Sequence, residues 1–244
     1  MLLSDLCGEE FFLFTKGDKP VEIIPNVHLI PNIVANPYLL IDPDGLTLID
    51  AGLPGSHRKI LRYLAGLGYA SKDLKRILIT HADFDHVGGL AALKAASGAR
   101  VYASPVEAQA MLERHASRPL KPRSVVTKLL FNLMAGLFKP ARVQTDELLL
   151  DGKVLPVLGG LQVVETLGHT PGHISLFAPS AGILFCGDSI VSEENGLRGS
   201  SGANNWDQAK SDESVRKQAA LGARILCSGH GPVVMDAAGK FPQV

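Results

Sequence analysis

Over residues 11–50, short apolar runs alternate with turn-forming residues, the pattern of consecutive β-strands. Val21–Ile24, Val27–Ile30 and Tyr38–Ile41 are interrupted by Pro25, Asn26, Pro31 and Asn32, and Asp42-Pro43-Asp44-Gly45 marks a turn before Leu46–Ile49. From residue 56 the spacing changes. Ile60, Leu61, Leu64 and Leu67 share one helical face while Arg58, Lys59 and Arg62 point away, and Gly68 offers a stop. A strand at 77–79, a helix at 87–97 ended by Gly98, a strand at Val101-Tyr102 and a helix from Pro105 to Arg114 follow. The alternation predicts an α/β fold. The second half returns to strands at 148–150, 154–158, 161–166, 175–178 and 183–186, then a helix at 207–221 and a last strand at Ile225-Leu226.

Residues 116–142 break the pattern. Val125, Val126, Leu129, Leu130, Phe131, Leu133, Met134, Leu137 and Phe138 make a helix apolar nearly all round, too short to span a bilayer. Three uses fit it: a buried helix, a cap over an active site, or the contact of a homodimer. Lys121, Arg123, Lys128, Lys139 and Arg142 read as its solvated ends.

Composition narrows the function. The 244 residues are 46% hydrophobic, enough for a substantial core, and carry 24 basic against 24 acidic side chains. That balance argues against nucleic acid as a partner. Three widely spaced cysteines, Cys7, Cys186 and Cys227, do not make a disulfide framework and suit a reducing cytoplasm. Met1–Asp5 lacks the basic start of a secretory signal, and no run is long enough for a membrane span, so a cytoplasmic protein is expected.

The chemistry is concentrated in Thr80-His-Ala-Asp-Phe-Asp-His-Val-Gly-Gly89, where His81, Asp83, Asp85 and His86 fall within six positions directly after an apolar run. Histidine and carboxylate are the donors that divalent metals use. The order of strand, then donor recurs at Gly168-His169-Thr170-Pro171-Gly172-His173, at Gly187-Asp188 and at Gly229-His230-Gly231-Pro232. Adjacent strands ending at one edge would gather these donors. Spacing divides them: His81 and Asp83, with His169, toward one ion; Asp85 and His86, with His230, toward a second; Asp188 as the bridge. Asp85 is taken both as a ligand and as the catalytic carboxylate. Asp50, ending the strand at Ile49, either caps a turn or supports a ligand from behind. His173 is read as orienting its loop. Residues around Ser189, Asn195, Asn204, Asn205 and Trp206 read as a polar loop, with the pocket wall as the alternative.

These motifs resemble the metallo-β-lactamase superfamily, whose signature is His-x-His-x-Asp-His with later His, Asp and His. Asp50, the 81–86 cluster, His169, Asp188 and His230 stand in the family's order, and Gly-His-Thr-Pro-Gly-His is similar to that of glyoxalase II and the quorum-quenching lactonases. The resemblance implies a single domain, a four-layer αββα sandwich with a helical insertion near 116–142. It implies two divalent ions, zinc first, that hold a bridging hydroxide to cleave an ester, thioester, lactone or related bond of a small molecule. Asp83 departs from the pattern, standing where the family has histidine. Formal charge over two ions, hydroxide and three carboxylates then falls to about zero from about plus one. The added hard oxygen donor favours manganese or iron relative to zinc. Two further readings stay open: a flavodiiron-like redox or non-catalytic metal protein, and a phosphodiesterase.

Overall fold

The computed structural model describes residues 20–118, 141–194, 196–202 and 205–244. The strands expected over 11–19, Cys7, Asn195, Asn204 and nearly all of the 116–142 helix, with its proposed cap or dimer role, lie outside the described residues.

The N-terminal sheet runs in chain order: β1 (Val21–Ile24), β2 (Val27–Leu29), β3 (Tyr38–Asp42), β4 (Gly45–Ile49), β5 (Leu74–Leu78), β6 (Arg100–Ala103) and β7 (Glu147–Leu148). Its first four strands pair antiparallel and the rest parallel. The parallel pairings require crossovers. α1 (Ser56–Gly66) connects β4 to β5, and α2 (Phe84–Val87) with α3 (Leu90–Ser97) connects β5 to β6; α4 (Pro105–Glu113) follows β6. The second sheet contains β8 (Val154–Leu155), β9 (Leu161–Glu165), β10 (Ile174–Ala178), β11 (Ile183–Gly187) and β14 (Ile225–Ser228), ordered β14-β11-β10-β9-β8. β12 (Ile190–Glu193) and β13 (Gly196–Gly199) form a separate ribbon, and α5 (Gln208–Ala219) precedes β14.

Strand alternation produces the layers. In β3, Leu39 packs outward with Ile60, Leu64 and Leu93 of the helices, while Tyr38 and Leu40 face the second sheet. In β11, Phe185 meets that inner layer, and Leu184 and Cys186 face Val215 of α5. Three apolar layers between four structural ones give the αββα order expected. Among the described residues no helix is long and apolar enough to cross a membrane.

The single helix expected at 87–97 is instead two. Gly88 and Gly89 interrupt it, because a Cβ on Gly88 would lie 2.3 Å from Pro54 and one on Gly89 2.4 Å from the Ala51 carbonyl. This close approach lets Ala51 N–H donate to the His86 carbonyl at 2.7 Å, locking the loop after β4 to the donor cluster. The polar loop expected after Asp188 is corrected too: residues 190–193 and 196–199 pair as a ribbon, satisfying backbone groups that a loop would leave to solvent. β5 also starts earlier than its apolar run, since Arg76 bonds Thr47 Oγ1 at 3.0 Å and ion-pairs with Asp44 at 2.7 Å.

Candidate metal centre

The C-terminal ends of β4, β5, β11 and β14 lie at one edge of the sandwich, stitched across the sheets there. Ile174 N–H donates to Thr80 O at 3.1 Å, and Tyr38 Oη to Ser228 O at 2.7 Å. Asp50, ending β4 with φ +60°, is anchored by what it accepts: Thr80 N–H (2.9 Å), Thr80 Oγ1–H (2.8 Å) and His86 Nδ1–H (2.8 Å). With its own proton given to Asp50, Thr80 Oγ1 accepts from His81 Nδ1 at 3.0 Å. His169 Nδ1 likewise donates to Ser200 Oγ at 3.0 Å, whose proton goes to Asn205 Oδ1. Each of these imidazoles is therefore held by Nδ1 and aims Nε2 forward, the atom left to meet a metal.

Those Nε2 atoms converge on carboxylates. Asp188 Oδ2 lies 3.9 Å from His81, 3.6 Å from His169 and 3.3 Å from His230, and its Oδ1 lies 3.3 Å from His86. Asp83 Oδ2 is 3.3 Å from His169 and 3.8 Å from His81, and Asp85 Oδ2 is 3.2 Å from His230. Three sets result, each with donor atoms within 4.8 Å of one another: His81, Asp83, His169; His81, His86, Asp188; and Asp85, His86, His230. Two ligands of one tetrahedral ion with bonds of about 2.1 Å stand about 3.4 Å apart, so these separations suit shared cations. The buried atoms His81 Nε2, His86 Nε2, Asp83 Oδ1 and Asp188 Oδ1 have no hydrogen-bond partner among the described residues. Unsatisfied buried polar atoms are costly, and a cation between them removes that cost.

The electrostatics are sharply divided. Burial pushes the His81 imidazole well below its usual range, keeping its lone pair free. Burial would do the same to His86, but the Asp188 and Asp50 carboxylates outweigh it and hold His86 well above. His230, between Asp188 and Asp85, is raised to about 9. His173 faces no carboxylate directly. Its Nδ1 pairs with Thr166 Oγ1 at 2.8 Å, its Nε2 accepts the Asp188 N–H at 3.1 Å, and burial pushes it to about 3. It stays neutral and positions the backbone of Asp188.

Three contributors escape a reading by residue type and spacing. Thr80, adjacent to the cluster, carried a local signal; Arg118 and Glu107 did not. Arg118 Nη2 contacts Asp83 Oδ2 at 2.5 Å. Glu107 of α4 is fully buried and accepts from Ala82 N–H (2.8 Å), Thr170 Oγ1 (2.7 Å), Gly172 N–H (3.0 Å) and Ser117 Oγ (3.0 Å). It thereby ties the loop of His81 and Asp83 to the loop of His169. In Glu107→Gln an amide N–H₂ faces one of these donors. The expected loss is about 2 kcal/mol, seen in thermal denaturation as a Tm about 4–8 °C lower. An unchanged Tm would show that the four contacts do not hold the loops.

A pocket of about 410 Å³ opens over the donors, lined also by Arg118, Val191, Arg198, Ser200 and Ser201. The ribbon thus supplies its wall, whereas Asn205 turns inward to Ser200, and Trp206 caps Gly168 O and His169 O through its backbone. His28 bonds Tyr63, and His115 pairs with Glu113 at the surface, both away from the donors.

Known proteins resemble this chain in sequence and in fold. The probable metallo-hydrolase YflN of Bacillus subtilis is 29% identical over 86% of this chain and 85% of its own. A hydroxyacylglutathione hydrolase of Cereibacter sphaeroides is 32% identical over 68% of this chain, a match that spans 52% of that enzyme. Among solved structures, a Cronobacter sakazakii metallo-β-lactamase with the motif HARLDQ superposes with TM-score 0.67 and 26% identity, over 86% of this chain and 80% of that one. A metallo-β-lactamase family protein of Thermus thermophilus gives TM-score 0.66 and 25% identity, over 90% and 78%. Residues 31–230 match the sequence model of the metallo-β-lactamase superfamily, and the chain belongs to that superfamily.

Proposed function

We propose that this protein is a metal-dependent hydrolase of small-molecule esters, thioesters or lactones, working with two divalent ions. The observation that carries this reading is the convergence of seven donor side chains, with four buried unpartnered atoms among them, beneath an open pocket. His81, Asp83 and His169 would hold one ion and Asp85, His86 and His230 the other, with Asp188 shared. The histidines suit zinc, and the oxygen of Asp83 admits manganese or iron. Bound ions would supply Lewis acidity and make water nucleophilic near neutral pH.

The chain's own groups do the rest. Asp85 lines the pocket and is the acceptor for a proton leaving the water. Arg118 and Arg198 bring N–H donors to the same space, suited to carbonyl and carboxylate oxygens of a substrate. The similarity to a relative named hydroxyacylglutathione hydrolase favours a thioester among these substrates.

The test strips metal with a chelator and assays a panel of thioesters, esters and lactones before and after zinc, manganese or iron is returned. Turnover is expected to vanish and return. Below about pH 9 a binding ion must displace the His230 proton, so affinity should rise with pH up to that value. Turnover that persists after complete metal removal overturns the reading.

A further inference from the structure

We infer that Arg118 is a built-in cation of the group His81, Asp83 and His169, holding Asp83 in place while weakening that group's hold on a divalent ion, so that Asp85, His86, His230 and Asp188 load first. The inference rests on the two-ion reading above and concerns how the two groups share the metal.

Arg118 is 8% exposed. Its Nη2 lies 2.5 Å from Asp83 Oδ2 and 3.4 Å from His169 Nε2. His169 commits its Nδ1 proton to Ser200, so its Nε2 is an acceptor, and a guanidinium has only donors. One nitrogen of Arg118 therefore points hydrogens at donor atoms of two of the three residues in the first group. A charge-assisted bond of this length takes up lone-pair capacity that an ion would use.

The second group is built differently. Among the described residues the ion partners of Asp85 and Asp188 are all histidines. Each of those histidines belongs to a donor set itself, whereas Arg118 offers no lone pair and can only move aside or repel. The two groups thus start from unequal positions although their donor counts are similar.

Charge explains why the pairing makes sense. Asp83 introduces a negative charge where a neutral histidine would otherwise stand, and Arg118 cancels it. With Arg118 counted, the formal charge of the loaded centre returns to about plus one. The pair Asp83–Arg118 behaves as a neutral ligand assembled from two charged residues. Removing Arg118 alone leaves the carboxylate without its competitor, and the first group should then bind more tightly.

The experiment uses the full chain freed of metal, titrated with Zn²⁺ against a chromophoric chelator, with bound metal counted by elemental analysis. The wild-type protein is expected to show one tight and one weak class of site. R118Q should tighten the weak class by about 10- to 100-fold, the range over which partners of metal ligands act. R118K, which keeps the charge, should retain two unequal classes. D83N should abolish only the weak class, and H230N only the tight one. Thermal denaturation checks that each variant is folded. Should R118Q fail to fold, the D83N and H230N titrations still assign the first equivalent. Equal tight classes in the wild type, or a weak class left unchanged or weakened by R118Q, overturn the inference while leaving the two-ion reading intact. A protein that takes up no zinc in either class overturns that reading instead.

Discussion

Asp188→Asn should lose catalytic turnover by about two to three decades, the loss typical when one preorganised group that stabilises charge at a reacting centre is removed. The substitution keeps side-chain size, and the backbone N–H of residue 188 keeps its acceptor, His173 Nε2. What changes is chemistry at the tip. The two oxygens of Asp188 face different histidines, Oδ1 toward His86 and Oδ2 toward His81, His169 and His230. An amide offers one acceptor and one donor, so one side of the centre must meet N–H₂ instead of a carboxylate oxygen. Bound metal, measured by elemental analysis, should fall together with kcat in the proposed assay. A folded Asp188→Asn protein with wild-type metal content and turnover would remove Asp188 from its shared position.

Gly231→Ala should be among the most destabilising single changes in the described chain. Gly231 has φ +92°, and a Cβ there would lie 1.8 Å from the carbonyl oxygen of Ser192. That carbonyl belongs to β12, whose Ser192 is paired with Leu197 of β13, so it cannot swing away cheaply. Positive φ adds its own strain for alanine. The expected cost is about 4 kcal/mol or more, in the range reserved for severe clashes. For a chain of this size that lowers Tm by about 8–16 °C. The same shift would drag His230 from Asp85 and Asp188, now 3.2 and 3.3 Å away. A thermal melt within two degrees or so of wild type would contradict the tight approach of the 229–232 turn to the ribbon.

These two residues differ in how far the primary structure announces them. An aspartate following Leu184–Gly187 is visible as a donor after a strand. That a Cβ at 231 meets Ser192 is not, because nothing in the polarity pattern of the ribbon carrying Ser192 announces it as strands. Its residues, Ile190–Glu193 and Gly196–Gly199, are short and mixed in polarity, and pairing with each other rather than apolar alternation makes them strands. The split of the helix after His86 has a similar origin. Gly88 and Gly89 are visible in the chain, but the Pro54 and Ala51 atoms that require them are supplied from elsewhere.

Residue order alone settled the α/β class, the strands that end at donors, and the family signature, since donor chemistry and apolar periodicity are local properties. It also exposed Asp83 as the departure from that signature. Only the folded chain decided how that departure is compensated. Arg118, thirty-five positions away, brings its guanidinium onto Asp83, and Glu107, on a separate helix, clasps both donor loops. A lone arginine or glutamate has no pattern that reveals its partner. Charge pairing and buried hydrogen bonds depend on distances through space, and those distances exist only once the two sheets have packed.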